Sequence, residues 1–175
     1  MPSHTQTPGT HKGGRAERID PRADPAAWIA NNERITNEAD VEAWLALYAP
    51  DAVLETITAG AYERAEGIER IRPLVEGLVE ICGRFSLRVS KKFLAADGDV
   101  IVNTWTGGFE GRDRQFGTEI WTLRDDLAVG HEMYTFLDVR PASDPRAGLR
   151  ALLAGEPRLV LALDRHRRRV ARKVS

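Results

Sequence analysis

The spacing of apolar residues in this chain changes at Gly83, from a helical period to the alternation of a strand. Before Gly83, from about Glu66, one face of a predicted helix carries Ile68, Ile71, Val75, Leu78, Val79 and Cys82. After it, Phe85, Leu87 and Val89 alternate with polar residues, a pattern typical of a half-buried strand. A chain that runs from helices into strands predicts an α+β fold and argues against the regular alternation of an α/β fold.

Two shorter helices are predicted nearer the N-terminus. The first begins at about Pro25, a residue that suits the first helical turn, and one of its faces carries Trp28, Ile29, Asn32 and Ile35. The second is capped by Asp40, ends at Pro50, and carries on one face Val41, Trp44, Leu45 and Tyr48. The next run, Ala52–Thr58, is rich in β-forming residues and is predicted to be the first strand.

Turn sequences divide the chain after Gly83 into four predicted strands. Asp97-Gly98-Asp99 and Asp125-Asp126 are short turns, and a loop is predicted around Gly111-Arg112-Asp113. Short connections of this kind predict an antiparallel meander. Its strands are a first one from Phe85, then Val100–Phe109, Phe116–Leu123 and Val129–Val139.

The 175 residues suit a single domain with one hydrophobic core, flanked by two segments of different composition. Residues 1–23 are rich in Gly, Pro, Thr and charge, and are predicted to be a flexible segment. The fold itself is predicted to span residues 24–140. Residues 141–175 begin with a Pro-rich boundary and are predicted to form a helical extension, whose last eleven residues hold six cations and no acid.

Composition excludes several classes of protein. An apolar fraction of 42% and a charged fraction of 29% exclude a disordered chain and a membrane protein, and no apolar run approaches the roughly 18–20 residues of a membrane-spanning helix. The N-terminus lacks the apolar stretch of a secretory signal, which predicts a cytoplasmic protein. The chain is acidic outside its basic tail, and that tail has no aromatic residue to stack on bases, so we expect no nucleic-acid partner.

The sequence also argues against a cofactor or metal site. Cys82 is the only cysteine, which excludes an internal disulfide and a thiolate zinc cluster, and its place on an apolar helix face predicts a buried, inert thiol. His131, the one histidine within the predicted fold, and scattered carboxylates do not make a set of zinc or iron ligands. Gly107-Gly108 lies within a strand, which predicts a bulge where the sheet bends and not a phosphate-binding loop.

Three phrases of the sequence together resemble one protein family. Asn37–Glu55 (NEADVEAWLALYAPDAVLE) is similar to the opening of the SnoaL-like polyketide cyclases, and Ala65–Val75 (AEGIERIRPLV) to their third helix. Glu119–Asp138 (EIWTLRDDLAVGHEMYTFLD) resembles their closing hairpin with its terminal Asp. The resemblance covers roughly Ala26–Arg140 and places the chain in the nuclear transport factor 2-like superfamily. It implies a cone-shaped, cystatin-like α+β roll, in which a curved antiparallel sheet surrounds a mostly apolar cavity and commonly forms a homodimer through its outer face.

The resemblance also implies which side chains line the cavity. The pattern of the ketosteroid isomerases, which belong to this superfamily, points twelve residues inward: Trp28, Asn32, Thr56, Asn103, Trp105, Gly107, Glu119, Trp121, Glu132, Tyr134, Phe136 and Asp138. A slip of one residue would reverse each strand's set and bring His131 and Met133 inward instead. An aromatic set with few carboxylates is typical of a site for a small apolar or cyclic molecule, although the tryptophans also suit a plain core.

Three of these residues are candidates for catalysis. Asp138 matches the closing-strand Asp that the cyclases use as an acid/base. Glu119 matches the position where the isomerases place a protonated carboxyl donor to an enolate oxygen, and Tyr134 would donate a hydrogen bond beside them. Desolvation on an inward face raises the pKa of a carboxyl group toward the range useful for acid/base chemistry. The alternatives are a salt bridge of Asp138 with Arg140 or a helix, and an exposed or dimer-facing position for Glu119 and Glu132.

Departures from the superfamily's motifs argue against three of its known chemistries. Thr56 stands where the isomerases have their general-base Asp, and Asn32 where they have a catalytic Tyr. Trp105 and Gly107 stand where the epoxide hydrolases have an Arg and an Asp. His131 has an unfavourable orientation for a site like that of scytalone dehydratase.

Two main hypotheses for function remain, beside the possibility that the extension Pro141–Ser175 recruits a partner. The first is a SnoaL-like pocket protein that binds a small apolar or cyclic molecule, with cyclase- or isomerase-like acid/base chemistry through Asp138. The second is a non-catalytic binding or dimerisation module whose cavity is filled by side chains. No cofactor is implied by either hypothesis, and both include a homodimer through the outer face of the sheet.

Overall fold

A computed structural model describes residues 19–109, 114–140, 144–146, 149 and 153 of the chain. The predicted segments 1–23 and 141–175 lie almost wholly outside the described residues, so their boundaries stay predictions. Within the described residues the α+β class is confirmed. The helices are α1 (Pro25–Glu38), α2 (Val41–Leu45) and α3 (Ile68–Arg84), and the strands are β1 (Tyr48–Thr58), β2 (Ala61–Glu66), β3 (Arg88–Asp97), β4 (Val100–Gly108), β5 (Gln115–Arg124) and β6 (Leu127–Phe136).

The first two helices are short elements with side-chain caps at their N-termini. The Asp24 carboxylate accepts from the Ala27 N–H at 2.9 Å ahead of α1, and Asp40 caps α2 in the same way. The predicted continuation of α2 as far as Pro50 is wrong. Tyr48 instead begins β1, because its backbone pairs with β6 beside Ala128, and this tertiary pairing outweighs the local helical spacing.

The six strands form one open, curved sheet in the order β2-β1-β6-β5-β4-β3. Its neighbouring strands are antiparallel with one exception, since β1 and β6 run parallel, so the sheet is mixed and not antiparallel throughout as predicted. Strand β2 was not predicted. Its residues are nearly all exposed and carry no apolar alternation that a sequence pattern could reveal.

The predicted bulge at Gly107-Gly108 is also wrong. These two residues pair in regular register with Val89 and Arg88, and the register of β3 and β4 shifts instead between Phe93 and Ala95. A Cβ at Gly107 would collide with the backbone of Arg88, so glycine there permits close approach of β3.

The helices cover the concave face of the sheet and form the core with it. Trp28 of α1 meets Trp121 of β5 edge to face, with ring centroids 5.1 Å apart. Ile71 and Val75 of α3 are buried in the same cluster. Within the described part of the chain, none of the helices is long and apolar enough to cross a membrane.

Candidate functional site

Strand register determines which side chains share the concave face. Residues at paired positions of neighbouring strands point to the same side of a sheet. One inward row runs from Asn103 through Glu119 and Met133 to Thr56. The next row runs Lys91, Trp105, Gly117, Thr135 and Thr58.

The predicted inward orientation is confirmed for β4 and β5 and wrong for β6. Trp121 pairs with His131, so the alternative orientation of β6 holds and His131 is buried. Glu132, Tyr134 and Phe136 therefore lie on the opposite face, where Phe136 is 56% exposed and the Tyr134 hydroxyl donates to Glu132 at 2.6 Å. The cause is a register shift between Thr122 and Leu123. Continued without the shift, the pairing of Arg124 with Leu127 would place Glu119 opposite Glu132, but after the shift Glu119 pairs with Met133.

Three adjoining cavities lie on this face. The first, which we call the inner compartment, has a volume of about 110 Å³ between β4, β5 and α3, and its walls include Lys91, Trp105 and Glu119. The second, the helix compartment, has a volume of about 370 Å³ and lies between α3 and β1. These two compartments share four lining residues: Trp44, Thr58, Leu78 and Met133. The third, the mouth, has a volume of about 530 Å³, and Asp138 and Arg140 contribute to its wall.

A buried charged cluster stands at the inner compartment. The Lys91 ammonium lies 2.9 and 2.8 Å from the two oxygens of Glu119, and both side chains are only 3% exposed. Asn103 donates from its amide nitrogen to Glu119 at 2.8 Å, and its amide oxygen accepts from the Trp121 indole at 3.0 Å. We call these four residues the charged cluster.

The charged cluster keeps Glu119 ionised. Burial by itself raises the pKa of this carboxyl group, but the Lys91 ammonium, together with the hydrogen bonds from Lys91 and Asn103, outweighs burial and holds the pKa below its usual value. An ionised carboxylate accepts hydrogen bonds and has none to donate. Glu119 therefore differs from the protonated donor that the resemblance implied.

Sequence reasoning missed Lys91, although a signal for it was present. Leu87 and Val89 were assigned to the buried face of a strand, and the same alternation continued by two residues reaches Lys91. A lysine at an inward position of a half-buried strand calls for a carboxylate partner, since an unpaired buried charge is very costly. Glu119 was the inward carboxylate already predicted.

A second polar pair borders the helix compartment. The Tyr48 hydroxyl and His131 Nδ1 are 2.6 Å apart, and the imidazole stacks on Trp121 with ring centroids 3.5 Å apart. Burial lowers the pKa of His131 to about 3 and raises that of Tyr48 well above its ordinary value, so both groups are neutral at physiological pH. His131 Nε2 has no hydrogen-bond partner among the described residues. We call Tyr48 and His131 the neutral pair.

The predicted pocket residues divide into three groups. Thr56, Trp105 and Glu119 line cavities. The second group, which is buried in the core behind the cavity walls, comprises Trp28, Asn32, Asn103 and Trp121. The third group, on the opposite face of the sheet, comprises Glu132, Tyr134 and Phe136.

Asp138 lies two residues beyond the end of β6, at the mouth. Its two carboxylate oxygens accept from Arg140 Nε at 2.9 and 3.0 Å, which is the salt bridge given above as an alternative. The ion pairs of Arg140 with Asp138 and Asp144 raise the pKa of its guanidinium group.

Other groups offer little reactive chemistry. Cys82 is buried, as predicted, and burial raises the pKa of its thiol to about 11. Among the described residues no group of three or more His, Cys, Asp or Glu side chains could hold a metal ion.

Comparisons with known proteins agree with this fold. The sequence profile of the SnoaL-like domain matches residues 30–131, more than half of the chain. No curated protein matches the sequence. A nuclear transport factor 2-like protein of unknown function from Mesorhizobium loti has a similar structure, with 20% identity, a TM-score of 0.53, and coverage of 67% of this chain and 95% of that one.

Two further solved structures are similar. A SnoaL-like protein of unknown function from Burkholderia thailandensis is 19% identical, with a TM-score of 0.51 and coverage of 63% of this chain and 93% of that one. SalBIII, an epoxide hydrolase/cyclase-like enzyme with a role in pyran ring formation in the polyether salinomycin, is 16% identical, with a TM-score of 0.53 and coverage of 67% and 94%. At these identities the likeness shows the shared fold.

Proposed function

Because this chain belongs to the family of SnoaL-like domains, and because its concave face holds adjoining cavities, we propose that it binds a small, mostly apolar ring compound there. The observation that carries the proposal is the joining of the inner and helix compartments through four shared wall residues. Their walls are largely apolar and aromatic. Four of the polar wall residues are held in fixed positions by hydrogen bonds: Tyr48, Lys91, Glu119 and His131.

Two glycines of α3 allow a matched test of this binding site. Gly77 lines the helix compartment and Gly83 does not, and a Cβ at either position would meet no atom within 4 Å. Both Gly77→Leu and Gly83→Leu improve helix propensity, so they differ chiefly in whether the new side chain enters the cavity.

The probe is N-phenyl-1-naphthylamine, a neutral ring compound that fluoresces in apolar sites. We expect Gly77→Leu to weaken its binding by at least about tenfold, and Gly83→Leu to leave binding within about twofold of the wild type. Equal affinity of both variants, or no binding to the wild type, would overturn the proposed site.

We further propose that Asp138 acts as the acid/base of this site. Its carboxylate lines the mouth, and Arg140 Nε donates to it at 2.9 Å, which holds the carboxylate in one orientation. A ring ketone bound with its α-carbon at the mouth would lose a proton to this carboxylate and regain one from it.

The exchange of α-protons of 2-tetralone for deuterium in D₂O, followed by NMR, tests this chemistry without knowledge of the natural substrate. Asp138→Asn should lower the catalysed exchange rate by about 100-fold. Asp144→Asn is the matched control, because Asp144 pairs with the same Arg140 but does not line the mouth. Exchange no faster than in buffer would remove the catalytic part of the proposal.

The second candidate function is binding without catalysis. Glu119, the buried carboxylate of the inner compartment, is ion-paired and not poised to donate a proton, and this observation favours a binding module. Binding of the naphthylamine probe without any exchange of 2-tetralone would favour this second function.

We also propose a homodimer through the outer face of the sheet, as the family resemblance implied. Phe116 and Phe136 stack on that face with ring centroids 6.4 Å apart, and both are exposed. Phe136→Glu should convert a dimer into a monomer in analytical ultracentrifugation. A wild-type chain that sediments as a monomer would contradict the proposal.

A further inference from the structure

The neutral pair is a fixed polar element in the wall of the helix compartment, beneath α3. Both Tyr48 and His131 line the helix compartment. Their mutual hydrogen bond and the stacking of His131 on Trp121 hold the two polar groups in one orientation. Such a fixed group in an apolar wall gives a pocket its specificity for one polar atom of a ligand.

One polar atom of this pair lacks a partner. His131 is 2% exposed, and its Nε2 atom meets no donor or acceptor among the described residues. A buried polar atom without a hydrogen bond destabilises the protein, so a ligand atom that reached Nε2 and completed the bond would gain affinity.

The protons of Tyr48 and His131 can be arranged in two ways, and in both the pair can bind a ligand that carries an oxygen atom. When Tyr48 donates to His131 Nδ1, the proton of the neutral imidazole is on Nε2, which is then a donor. When Nδ1 donates to the Tyr48 oxygen, the hydroxyl proton is free for a ligand oxygen and Nε2 becomes an acceptor. The pair can therefore form a hydrogen bond with a carbonyl oxygen or a hydroxyl group, but not with a methyl group in its place.

The walls of the helix compartment also select for charge. Among its described lining residues there is no lysine or arginine, and there is one acid, Glu63. Lys91, in the neighbouring inner compartment, already pairs with both oxygens of Glu119. A ligand carboxylate would lose its water without meeting a free cation, which disfavours anions.

We propose that the Tyr48–His131 pair binds the hydroxyl or carbonyl oxygen of an uncharged ring compound and excludes carboxylates of the same size. This inference rests on the proposed function, since it names the ligand class of the same cavity. It adds a specificity-determining pair that is distinct from Asp138 at the mouth.

Three naphthalenes of nearly equal size provide the test: 2-naphthol, 2-methylnaphthalene and 2-naphthoate, titrated by isothermal calorimetry at pH 7. The wild type should bind 2-naphthol about tenfold more tightly than 2-methylnaphthalene, and 2-naphthoate more weakly than either. Tyr48→Phe removes the hydroxyl group and with it the hydrogen bond that orients the His131 imidazole, so it should bring 2-naphthol to within about threefold of 2-methylnaphthalene. It should leave the affinity for 2-methylnaphthalene unchanged.

Tyr62→Phe is the matched control, because the Tyr62 hydroxyl bonds Glu55 and does not line the compartment. This variant should retain the wild-type preference. If Tyr48→Phe does not fold, the imidazole ¹⁵N resonances of His131 in the wild type give a second measurement. They should shift further with 2-naphthol than with 2-methylnaphthalene, because both compounds add the ring-current effect of a naphthalene and only 2-naphthol adds a hydrogen bond.

The outcomes separate this inference from the proposed function. Binding of 2-methylnaphthalene as tight as that of 2-naphthol overturns the role of the pair but leaves the apolar site intact. Preferential binding of 2-naphthoate overturns the exclusion of anions. Binding of none of the three overturns the proposed function itself.

Discussion

The charged cluster and the neutral pair lie on the same concave face, and burial has opposite consequences for them. Lys91 and Glu119 remain charged, since each is the other's counter-ion and Asn103 adds a hydrogen bond. His131 has no counter-ion of its own and is hydrogen-bonded to the Tyr48 hydroxyl. Burial, aided by the charge of Lys91, outweighs the opposing charge of Glu119 and keeps His131 neutral. The comparison teaches that partners, more than depth, decide whether a buried group ionises.

Breaking the charged cluster should have the largest effect on stability. Lys91→Met leaves the Glu119 carboxylate buried without its cation, and should lower the free energy of unfolding by about 3–5 kcal/mol in urea titrations. Arg34→Met, which removes an exposed pair with Glu38, should cost less than about 1 kcal/mol. The double variant with Lys91→Met and Glu119→Leu should recover much of the lost free energy of unfolding. If Lys91→Met costs as little as Arg34→Met, the comparison is contradicted.

The neutral pair should make the stability of the protein depend on pH. The folded state lowers the pKa of His131 to about 3 from an ordinary 6.5, so between these values the unfolded chain binds a proton that the folded chain does not. Stability is complete above pH 6.5 and falls as the pH falls toward 3. Between pH 7 and pH 5 we expect a loss of about 2 kcal/mol in urea unfolding.

The control for this pH dependence is His131→Phe, which keeps a ring to stack on Trp121 and cannot titrate. Glu119 also has a lowered pKa, but it loses stability only below the ordinary carboxyl range, so the interval from pH 7 to pH 5 isolates His131. An unchanged stability of the wild type over that interval would show that His131 is not held neutral.

The smallest effect is expected where a buried polar group has no partner. The Thr135 hydroxyl has none among the described residues, so Thr135→Val should be neutral or stabilise by up to about 1 kcal/mol. Thr36→Val is the matched control. The buried Thr36 hydroxyl donates to the Asn32 carbonyl at 2.8 Å, and removal of this hydroxyl should lower the free energy of unfolding by about 1 kcal/mol. A loss of more than about 1 kcal/mol for Thr135→Val, measured by urea unfolding, would reveal a bond to this hydroxyl.

Much of the fold was predictable because its signals are local. Three features depend on residues only a few positions apart: the Asp40 cap of α2, the apolar face of α3 and the alternation of buried residues in β4. The polar strand β2 has no such signal, and it forms because β1 offers it an edge. The start of β1 at Tyr48 was missed for a related reason, since its partner lies eighty residues away in Ala128.

The site was only half predictable. Alternation placed Asn103, Trp105 and Glu119 on the inward face, but the orientation of β6 required its register with β5. That register brings His131 beside Tyr48 and removes Tyr134 from the cavity. No pattern along one strand can supply this information.

By itself, the sequence determined the α+β class, the helices, the order of the main strands and the likeness to SnoaL-like domains. These properties follow from periodicity, capping and turn residues within short windows of the chain. The tertiary structure alone decided the parallel pairing of β1 with β6, the partnership of Lys91 with Glu119, and the neutral state of His131. Each of these depends on groups that only folding brings within a few ångströms, because hydrogen bonding, charge pairing and desolvation act over such short distances.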